Sequence, residues 1–132
     1  MADALSYELV SPERRLAAGE AQAIQLPGAE GDLTALPGHA PFLTSLRPGV
    51  VTVTEGGKET SFVVAGGFAE INAEAASVLA EEAIGRDEAN AEWFEARLKD
   101  AEQEMEIADA QAKVLVAKRI NDLHFLKAHL GL

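Results

Sequence analysis

The residue types of a hydrolytic triad occur in the first part of the chain, at Ser11, Asp32 and His39. A serine hydrolase also needs a nucleophile held on a sharp turn and backbone N–H groups that stabilise the oxyanion. The sequence around Ser11 has no such turn motif, and no oxyanion motif accompanies the three residues. We therefore predict that they are polar residues of turns and of the surface, and that the chain has no catalytic site of this kind.

Metal and nucleotide chemistry are also unsupported by residue spacing. His124 and His129 are five residues apart, roughly 140° around a helix, so the two side chains do not share a face. Cysteine is absent, which excludes thiolate ligands, a cysteine nucleophile and disulfides. No Gly-x-x-x-x-Gly-Lys-Ser/Thr sequence occurs, which excludes a P-loop. The sequence predicts neither a metal site nor a phosphate-binding loop.

The charge of the chain favours a protein partner. There are 22 acidic and 11 basic residues among 132, which gives a formal net charge of −11. Nucleic acid and anionic lipid both attract clustered Lys and Arg, so neither is an expected partner. No apolar run approaches the length of about 18 residues that a membrane-spanning helix needs, and no signal sequence is evident. We expect any membrane association to go through another protein, without direct insertion.

Turn-forming residues are concentrated between positions 26 and 50. This stretch holds four of the five prolines and four of the eleven glycines. Pro-Gly pairs occur at 27–28, 37–38 and 48–49, and each combines a fixed φ with a residue free to adopt a positive φ, as type II turns prefer. We predict that each pair forms a turn that closes a short strand.

Short strands account for the first 85 residues. The pattern predicts eight to ten of them, with a turn at Gly19, a two-glycine hairpin at 55–58, a bulge or corner at 66–67, a turn at 72–75 and a last strand at 77–80. No helical period occurs among them. The predicted fold of residues 1–85 is an all-β domain, a flattened β-sandwich.

Strong helix formers dominate residues 86–132, and neither Gly nor Pro occurs between Asp87 and Leu130. Asp87 is the predicted N-cap of the first helix. The apolar stripes lose phase near 104–109, so one helix or two would fit; we predict a helical hairpin with a turn there and Asp109 as the second N-cap. Its acidic and basic halves would pair when antiparallel. The stripes are Ala91, Phe94, Leu98, Ala101 and Met105, then Val116, Ile120, Leu123, Leu126 and Leu130.

An ordered series of short motifs extends from about residue 5 to residue 85. Its central members are Pro27-Gly28-x-Glu30-Gly31-Asp32, Leu36-Pro37-Gly38-His39-Ala40-Pro41 and Leu46-Arg47-Pro48-Gly49-Val50. Flanking members lie at 9–13, 19–20, 66–70 and 78–81. In order and spacing this series resembles the epsilon subunit family of F-type ATP synthases, which is equivalent to the mitochondrial delta subunit. The resemblance implies a β domain followed by a two-helix tail that folds back or extends.

The resemblance also implies a non-catalytic rotor subunit that joins the γ subunit to the c-ring, on the cytoplasmic face of the bacterial plasma membrane. The family's c-ring contacts match Glu30, Gly31, Asp32 and His39, and its γ contacts match Ser11 and His39. An extended tail would reach the catalytic α/β subunits and inhibit ATP hydrolysis. The cations implied in that contact are Lys113, Lys118, Arg119 and Lys127.

Some members of this family bind ATP through an Ile/Leu-Asp-x-x-Arg-Ala motif at the start of the tail. In the matching segment Asp87 and Ala91 fit, whereas Arg86 replaces the aliphatic residue and Asn90 replaces the arginine. Without that guanidinium a phosphate loses its bidentate partner. The degenerate motif therefore predicts no nucleotide binding, and no cofactor is expected.

A hypothesis from another class remains open, a free-standing β-sandwich adaptor or ligand-binding module whose helices mediate dimerisation. The acidic loop at 30–32 and the bases of the second helix are both compatible with ordinary solvated surface. Trp93 and Phe94 are predicted to belong to the core of the hairpin and not to a ligand cage. Oligomeric state and affinity for γ discriminate the two hypotheses.

Overall fold

A computed structural model describes residues 4–132 and divides the chain into two compact units, Met1–Arg86 and Asp87–Leu132. The described part of the first unit, residues 4–86, has ten strands. Their bounds are β1 Leu5–Val10, β2 Arg15–Ala21, β3 Ala23–Gly28, β4 Gly31–Ala35, β5 Phe42–Leu46, β6 Gly49–Glu55, β7 Lys58–Val64, β8 Gly67–Ile71, β9 Ala75–Ala80 and β10 Ala83–Gly85.

The strands form one sheet folded into two layers, in the order β10-β7-β6-β3-β5-β8-β9-β1-β2, with β4 paired to β3. The layers join where the end of β3 meets the end of β5, through the pair Gly28 and Leu46. At the opposite corner Tyr7 of β1 donates a hydrogen bond from its hydroxyl to the Glu55 carboxylate at the end of β6, over 3.0 Å. The result is a nearly closed sandwich, as the sequence predicts.

Alternation of side chains along the strands fills the space between the layers. β1, β6, β8 and β9 bury alternate residues, which is the pattern of strands with one face on a core. All pairings are antiparallel except that of β1 with β9, which is parallel. The largest fully buried side chains of this core are Leu5, Leu9, Ile24, Leu26, Val51, Val64, Ile71 and Val78.

The prediction of three type II Pro-Gly turns is correct only for Gly38, whose φ is +87°. Gly28 and Gly49 do not have positive φ and lie within strands β3 and β6. They are glycines because there is no room for a side chain. A Cβ on Gly49 would lie 2.4 Å from Cβ of Pro27, and a Cβ on Gly28 would lie 2.6 Å from the Gly31 carbonyl oxygen.

Two other expectations for the strands are wrong. Gly19 does not make a turn: it lies inside β2 opposite Tyr7, and a Cβ there would approach the Glu55 carboxylate to 2.7 Å. The strand at 77–80 is not the last, because β10 follows and pairs with β7. The two-glycine hairpin is confirmed, with φ of +59° at Gly56 and +79° at Gly57.

The second unit is a pair of helices, α1 Ala91–Ile107 and α2 Ala110–His129, which pack against each other as a hairpin. Asp87 is not the N-cap of α1, because a single 3₁₀ turn occupies Arg86–Glu88. Asn90 caps instead, accepting a hydrogen bond from the Trp93 N–H at 2.9 Å. The carboxylate of Asp109 caps α2, as predicted, by accepting from the Ala112 N–H at 2.8 Å.

The predicted apolar stripes supply the buried residues of both helices. Phe94, Leu98 and Ala101 are buried on α1, and Val116, Leu123 and Leu126 on α2. The remaining stripe members, Ala91, Met105, Ile120 and Leu130, are half-buried. The two helices also form ion pairs with each other, between Arg119 and Glu104 and between Lys127 and Glu95.

Candidate protein-binding surfaces

Ser11, Asp32 and His39 do not form a catalytic triad, because each side chain has a different local partner. The Ser11 hydroxyl is 3.4 Å from the Arg14 carbonyl oxygen, across the turn between β1 and β2. Asp32 is paired with Arg47. Nδ1 of His39 lies 2.6 Å from the Ala40 carbonyl oxygen. A nucleophile needs a base in hydrogen-bond contact, and none of these three groups contacts another.

Residues 4–132 contain neither a cluster of metal ligands nor a membrane-spanning helix. No group of three or more His, Asp or Glu side chains there is arranged to hold a metal ion. Within the same residues, neither helix is long and apolar enough to cross a membrane. Of the histidines on α2, His129 stacks on Phe125 with ring centroids 6.1 Å apart.

The acidic tip, residues 29–32, is the turn of the β3–β4 hairpin with the first two residues of β4. Gly28 pairs with Gly31, so Ala29 and Glu30 form a two-residue turn, and Gly31 has a φ of +143°. Such tight hairpin turns favour glycine because positive φ costs it little. Residues 29–32 are all exposed. The hairpin therefore projects two carboxylates, those of Glu30 and Asp32, at one end of the sandwich.

Arg47 is part of this surface, although its sequence pattern did not single it out as a site residue. Its guanidinium donates to the Gly28 carbonyl oxygen through one terminal nitrogen and to the Asp32 carboxylate through the other. Its side chain is 30% exposed, against 80% for that of Asp32. The Arg47 backbone N–H also donates to the Pro27 carbonyl oxygen over 3.0 Å. The sequence pattern did not predict this role, because the two groups that the Arg47 guanidinium contacts are 19 and 15 residues away in the sequence.

His39 lies in the connection between β4 and β5, away from the acidic tip. The Gly38 N–H donates to the Ala73 carbonyl oxygen, which places this loop beside the β8–β9 turn, at the Phe42 end of β5. The acidic tip lies at the other end of β5, because the Ala29 N–H donates to the Ser45 carbonyl oxygen. Five extended residues span about 13 Å. His39 and the acidic tip therefore belong to opposite ends of this strand.

Ser11 borders an exposed apolar surface that was not predicted. We call Val10, Leu43, Phe68 and Leu79 the apolar row. Strand register places Leu79 beside Val10 on one side and beside Phe68 on the other. Alternation puts Leu43 on the same outer face, where it is 68% exposed, and Phe68 and Leu79 are each 53% exposed. Contiguous exposed apolar side chains on a folded domain mark a binding surface more often than scattered ones do.

The four cations predicted to contact the catalytic head do not share one face of α2. At about 100° per residue they are distributed around the helix. Arg119 and Lys127 pair with acids of α1, and Nζ of Lys118 lies 3.2 Å from the Asp122 carboxylate, one turn along α2. Lys113 is exposed, and no ion pair joins it to the residues that the structure describes.

The degenerate nucleotide motif has a structural role. Asn90, which stands where the motif has arginine, caps α1 through its side-chain oxygen. Trp93, in the first turn of the helix, packs edge-on against Phe94 with centroids 5.1 Å apart, and the Arg97 guanidinium lies 5.1 Å from the Trp93 ring centroid. The side-chain oxygen of Asn90 is therefore already used to begin the helix.

Comparison with known proteins gives consistent matches over the whole chain. The family model for the β-sandwich domain of the ATP synthase delta/epsilon chain matches residues 4–86. The ATP synthase epsilon chain of Paracoccus denitrificans is 46% identical over 139 residues, covering 100% of this chain and 94% of that protein. The epsilon chain of Rhodobacter capsulatus is 43% identical over 132 residues, covering 100% of both.

Solved structures show the same fold. One match is a chain in the mitochondrial ATP synthase of Euglena gracilis, described as OSCP, F1 and c-ring, with a TM-score of 0.73, 24% identity and coverage of 98% of this chain and 83% of that one. Another is a chain in the central stalk and c-ring of the Tetrahymena thermophila mitochondrial enzyme, with a TM-score of 0.69, 19% identity and coverage of 95% and 94%.

Proposed function

Because the chain belongs to the epsilon (delta/epsilon) family of ATP synthase subunits, we propose that it is a central-stalk component that joins the γ subunit to the c-ring. The observation that carries this proposal is the pairing of a well-packed sandwich with two exposed surfaces of different chemistry. One surface is the acidic tip and the other is the apolar row. A part of this kind transmits force between two partners and needs no reactive side chain.

The acidic tip is assigned to the c-ring. Its carboxylates suit polar or basic loops, and such exposed contacts act mainly on encounter and orientation. His39 is assigned to the same rotor junction, with contacts to both the c-ring and γ. Since it lies at the opposite end of β5, a strand that spans about 13 Å, it would reach a separate part of that junction.

The apolar row and the neighbouring Ser11 are assigned to γ. The cores of protein interfaces are depleted in charge and enriched in aromatic residues, and Phe68 at the centre of the row fits that composition. Strands β8 and β9, which carry Phe68 and Leu79, are paired with neighbouring strands on both sides and their inward residues are buried, so the surface is presented on a rigid layer. This rigidity is what torque transmission requires.

The helical tail, residues 86–132, is proposed to act as a brake on ATP hydrolysis. Arg119 and Lys127 are engaged within the hairpin, so they reach the catalytic α/β subunits only when the hairpin opens. Surface ion pairs contribute about 0–1 kcal/mol each, so breaking them costs little; the larger cost of opening is exposure of the buried apolar stripes, which contacts of the extended helices with the catalytic subunits would have to offset. The subunit would work at the cytoplasmic face of the bacterial plasma membrane, attached through its protein partners.

Mixing experiments test the central proposal. The full chain should run as a monomer by size exclusion with light scattering and should shift to a complex when γ is added. A stable homo-oligomer without affinity for γ would instead support the adaptor hypothesis. Substituting Phe68→Ser should weaken the γ complex, whereas Thr60→Ala, at the exposed beginning of β7, is the matched control and should leave it unchanged.

A second experiment tests the tail. The test uses an ATP synthase in which this subunit is truncated to residues 1–85 and all other subunits are intact. That enzyme should couple hydrolysis to proton pumping as well as the enzyme with the full-length subunit does, but it should hydrolyse ATP faster. The sandwich has its own hydrophobic core, so this truncation is expected to fold. Loss of assembly on truncation would refute the proposed division between a coupling domain and a regulatory tail.

A further inference from the structure

The edge of the sheet at β2 is held by a neighbouring strand on one side only. Among residues 4–86, β2 pairs with β1 and with no other strand, so the sheet ends there. A strand with one neighbour has fewer bonds to break than a strand between two neighbours, and it opens at a lower free-energy cost. β6 belongs to the other layer and comes close to β2, but no strand pairing joins the two within those residues. Side chains therefore decide how firmly this seam between the layers is closed.

Glu55, the last residue of β6, reaches across this seam. One carboxylate oxygen accepts the hydrogen bond from the Tyr7 hydroxyl of β1, the strand beyond β2, over 3.0 Å. The other oxygen lies against Gly19 of β2, because a Cβ built on Gly19 would be 2.7 Å from it. Gly19 and Tyr7 are paired in the β1–β2 register. One carboxylate from β6 therefore contacts both β1 and β2 at the same level of the sheet.

We propose that the Glu55 side chain is a strap that holds β2 against the rest of the sandwich, and that breaking its bond to Tyr7 is a step in a local opening of β2 that leaves the other strands folded. A hydrogen bond to an ionised acceptor is stronger than one between neutral groups, so a single bond of this kind changes the opening equilibrium measurably. The inference concerns the free chain and does not depend on the proposed function.

The two ends of β2 are held differently, which gives the opening a direction. Gln22 follows β2 directly: its backbone N–H donates to the Thr54 carbonyl oxygen, and its side-chain oxygen accepts from the Gly56 N–H, each over 2.8 Å. At the other end β2 begins with Arg15, whose guanidinium lies 3.8 Å from the carboxylate of Glu8 on β1, and both side chains are largely exposed. Opening therefore starts at the Arg15 end and proceeds toward the strap.

Opening of β2 would uncover part of the hydrophobic core. Leu16 and Ala17 of β2 are partly buried and pack against that core, and Tyr7 beneath them is buried. With β2 displaced, β1 becomes a new edge strand whose inward side chains are apolar. An uncovered strand edge of this kind is a template for pairing with another chain. The strap therefore limits the time that the domain spends in a form prone to association.

Hydrogen exchange of the full chain tests the strap. In the wild type, amides of β2 should exchange faster than those of β8, which is paired on both sides. Tyr7→Phe removes the hydroxyl and keeps the ring, and Glu55→Ala removes the carboxylate; each should accelerate exchange of the β2 amides roughly tenfold. Amides of β4, which pairs only with β3 among the described strands, should keep their wild-type rates. Glu59→Ala, which removes the same charge at the exposed beginning of β7, is the matched control.

Three results of this measurement would overturn the inference. Equal exchange of β2 and β8 in the wild type would show that β2 does not open locally. Wild-type exchange of β2 in both Tyr7→Phe and Glu55→Ala would show that their hydrogen bond does not hold the strand. Equal acceleration of β4 and β2 would show a general loss of stability in place of a local one.

Gly19→Ala tests the path of the Glu55 side chain. The φ of Gly19 is not positive, so the backbone accepts alanine, but the new methyl group would displace the carboxylate. Alone, Gly19→Ala should accelerate β2 exchange about as much as Glu55→Ala does. Combined with Glu55→Ala it should add less than about twofold, because the two changes remove the same contact. Fully additive effects would show that the carboxylate does not cross β2 at Gly19, and the strap would be refuted.

Discussion

Replacement of Gly49 by alanine should destabilise the sandwich for a purely steric reason. Gly49 follows Pro48, at the corner where the chain passes from one layer to the other. Its φ is not in the left-handed region, so alanine brings no backbone strain. The added Cβ, however, would lie 2.4 Å from Cβ and 2.9 Å from Cγ of Pro27, a buried ring that cannot rotate away.

The expected cost follows from the size of this overlap. Inserting a methyl group into a well-packed core costs about 1–3 kcal/mol. Alanine also restricts the unfolded chain, which offsets about 0.4–1 kcal/mol. A net loss of about 1–2 kcal/mol lowers the Tm of a domain of this size by about 4–16 °C. Gly85→Ala is the matched control, because no atom lies within 4 Å of a Cβ built there and its φ is also not positive.

Scanning calorimetry of the full chain measures both variants. We expect the Tm of the sandwich transition to be lower in Gly49→Ala than in the wild type, and to be unchanged or slightly higher in Gly85→Ala. Equal transition temperatures in the two variants would show that the corner relaxes without cost, and the steric argument would be refuted. Unfolding of the helical hairpin is followed separately by the fluorescence of Trp93, the only tryptophan of the chain. Its transition temperature should not change in the Gly49 variant.

Three further substitutions give distinct outcomes. Burial, and next the hydrogen bond and charge of Glu55, raise the pKa of Tyr7 above 10.0, so the folded state holds its proton to higher pH than the unfolded state. Stability should therefore fall as pH rises past about 10, Tyr7→Phe should reduce that slope, and tyrosinate absorbance reports the titration because the chain has one tyrosine. Asn90→Ala should cost the hairpin about 1 kcal/mol in urea titrations followed by Trp93 fluorescence, whereas Asp87→Ala, which removes no cap, should cost it nothing measurable. Arg119→Gln should lower hairpin stability by less than about 1 kcal/mol, and 0.5 M salt should remove most of the difference; a larger, salt-insensitive loss would contradict a surface ion pair.

The sequence was informative wherever structure depends on local residues. Strand alternation, the turn at Gly56-Gly57 and the apolar stripes of the helices are set by neighbours a few positions apart, and the structure has them where they were predicted. Asp109 was identifiable as a cap because it falls where the stripes lose phase. Asp87 was wrongly preferred over Asn90, since both are good capping residues and only the path of the chain decides between them.

The candidate site was less predictable because its geometry depends on distant pairs. In the sequence, Gly49 and Gly19 both resemble turn glycines. The structure shows instead that each is required by a close neighbour, Pro27 for Gly49 and Glu55 for Gly19. Arg47 could be assigned a role only after the ends of β3 and β5 were brought together. The apolar row was hidden for a similar reason, because strands with apolar residues on both sides do not reveal which side faces water.

The parallel pairing of β1 with β9 affects the order in which the molecule can be made. Ser6 pairs with Ala75 and Val10 with Leu79, so the first strand has no neighbour on that edge until almost the entire β domain has been synthesised. Pairing between such distant segments is slow, because the intervening loop must close before any contact is gained. On the ribosome, the β1–β2 hairpin therefore keeps that edge unpaired until β9 emerges, and the sandwich cannot be completed earlier.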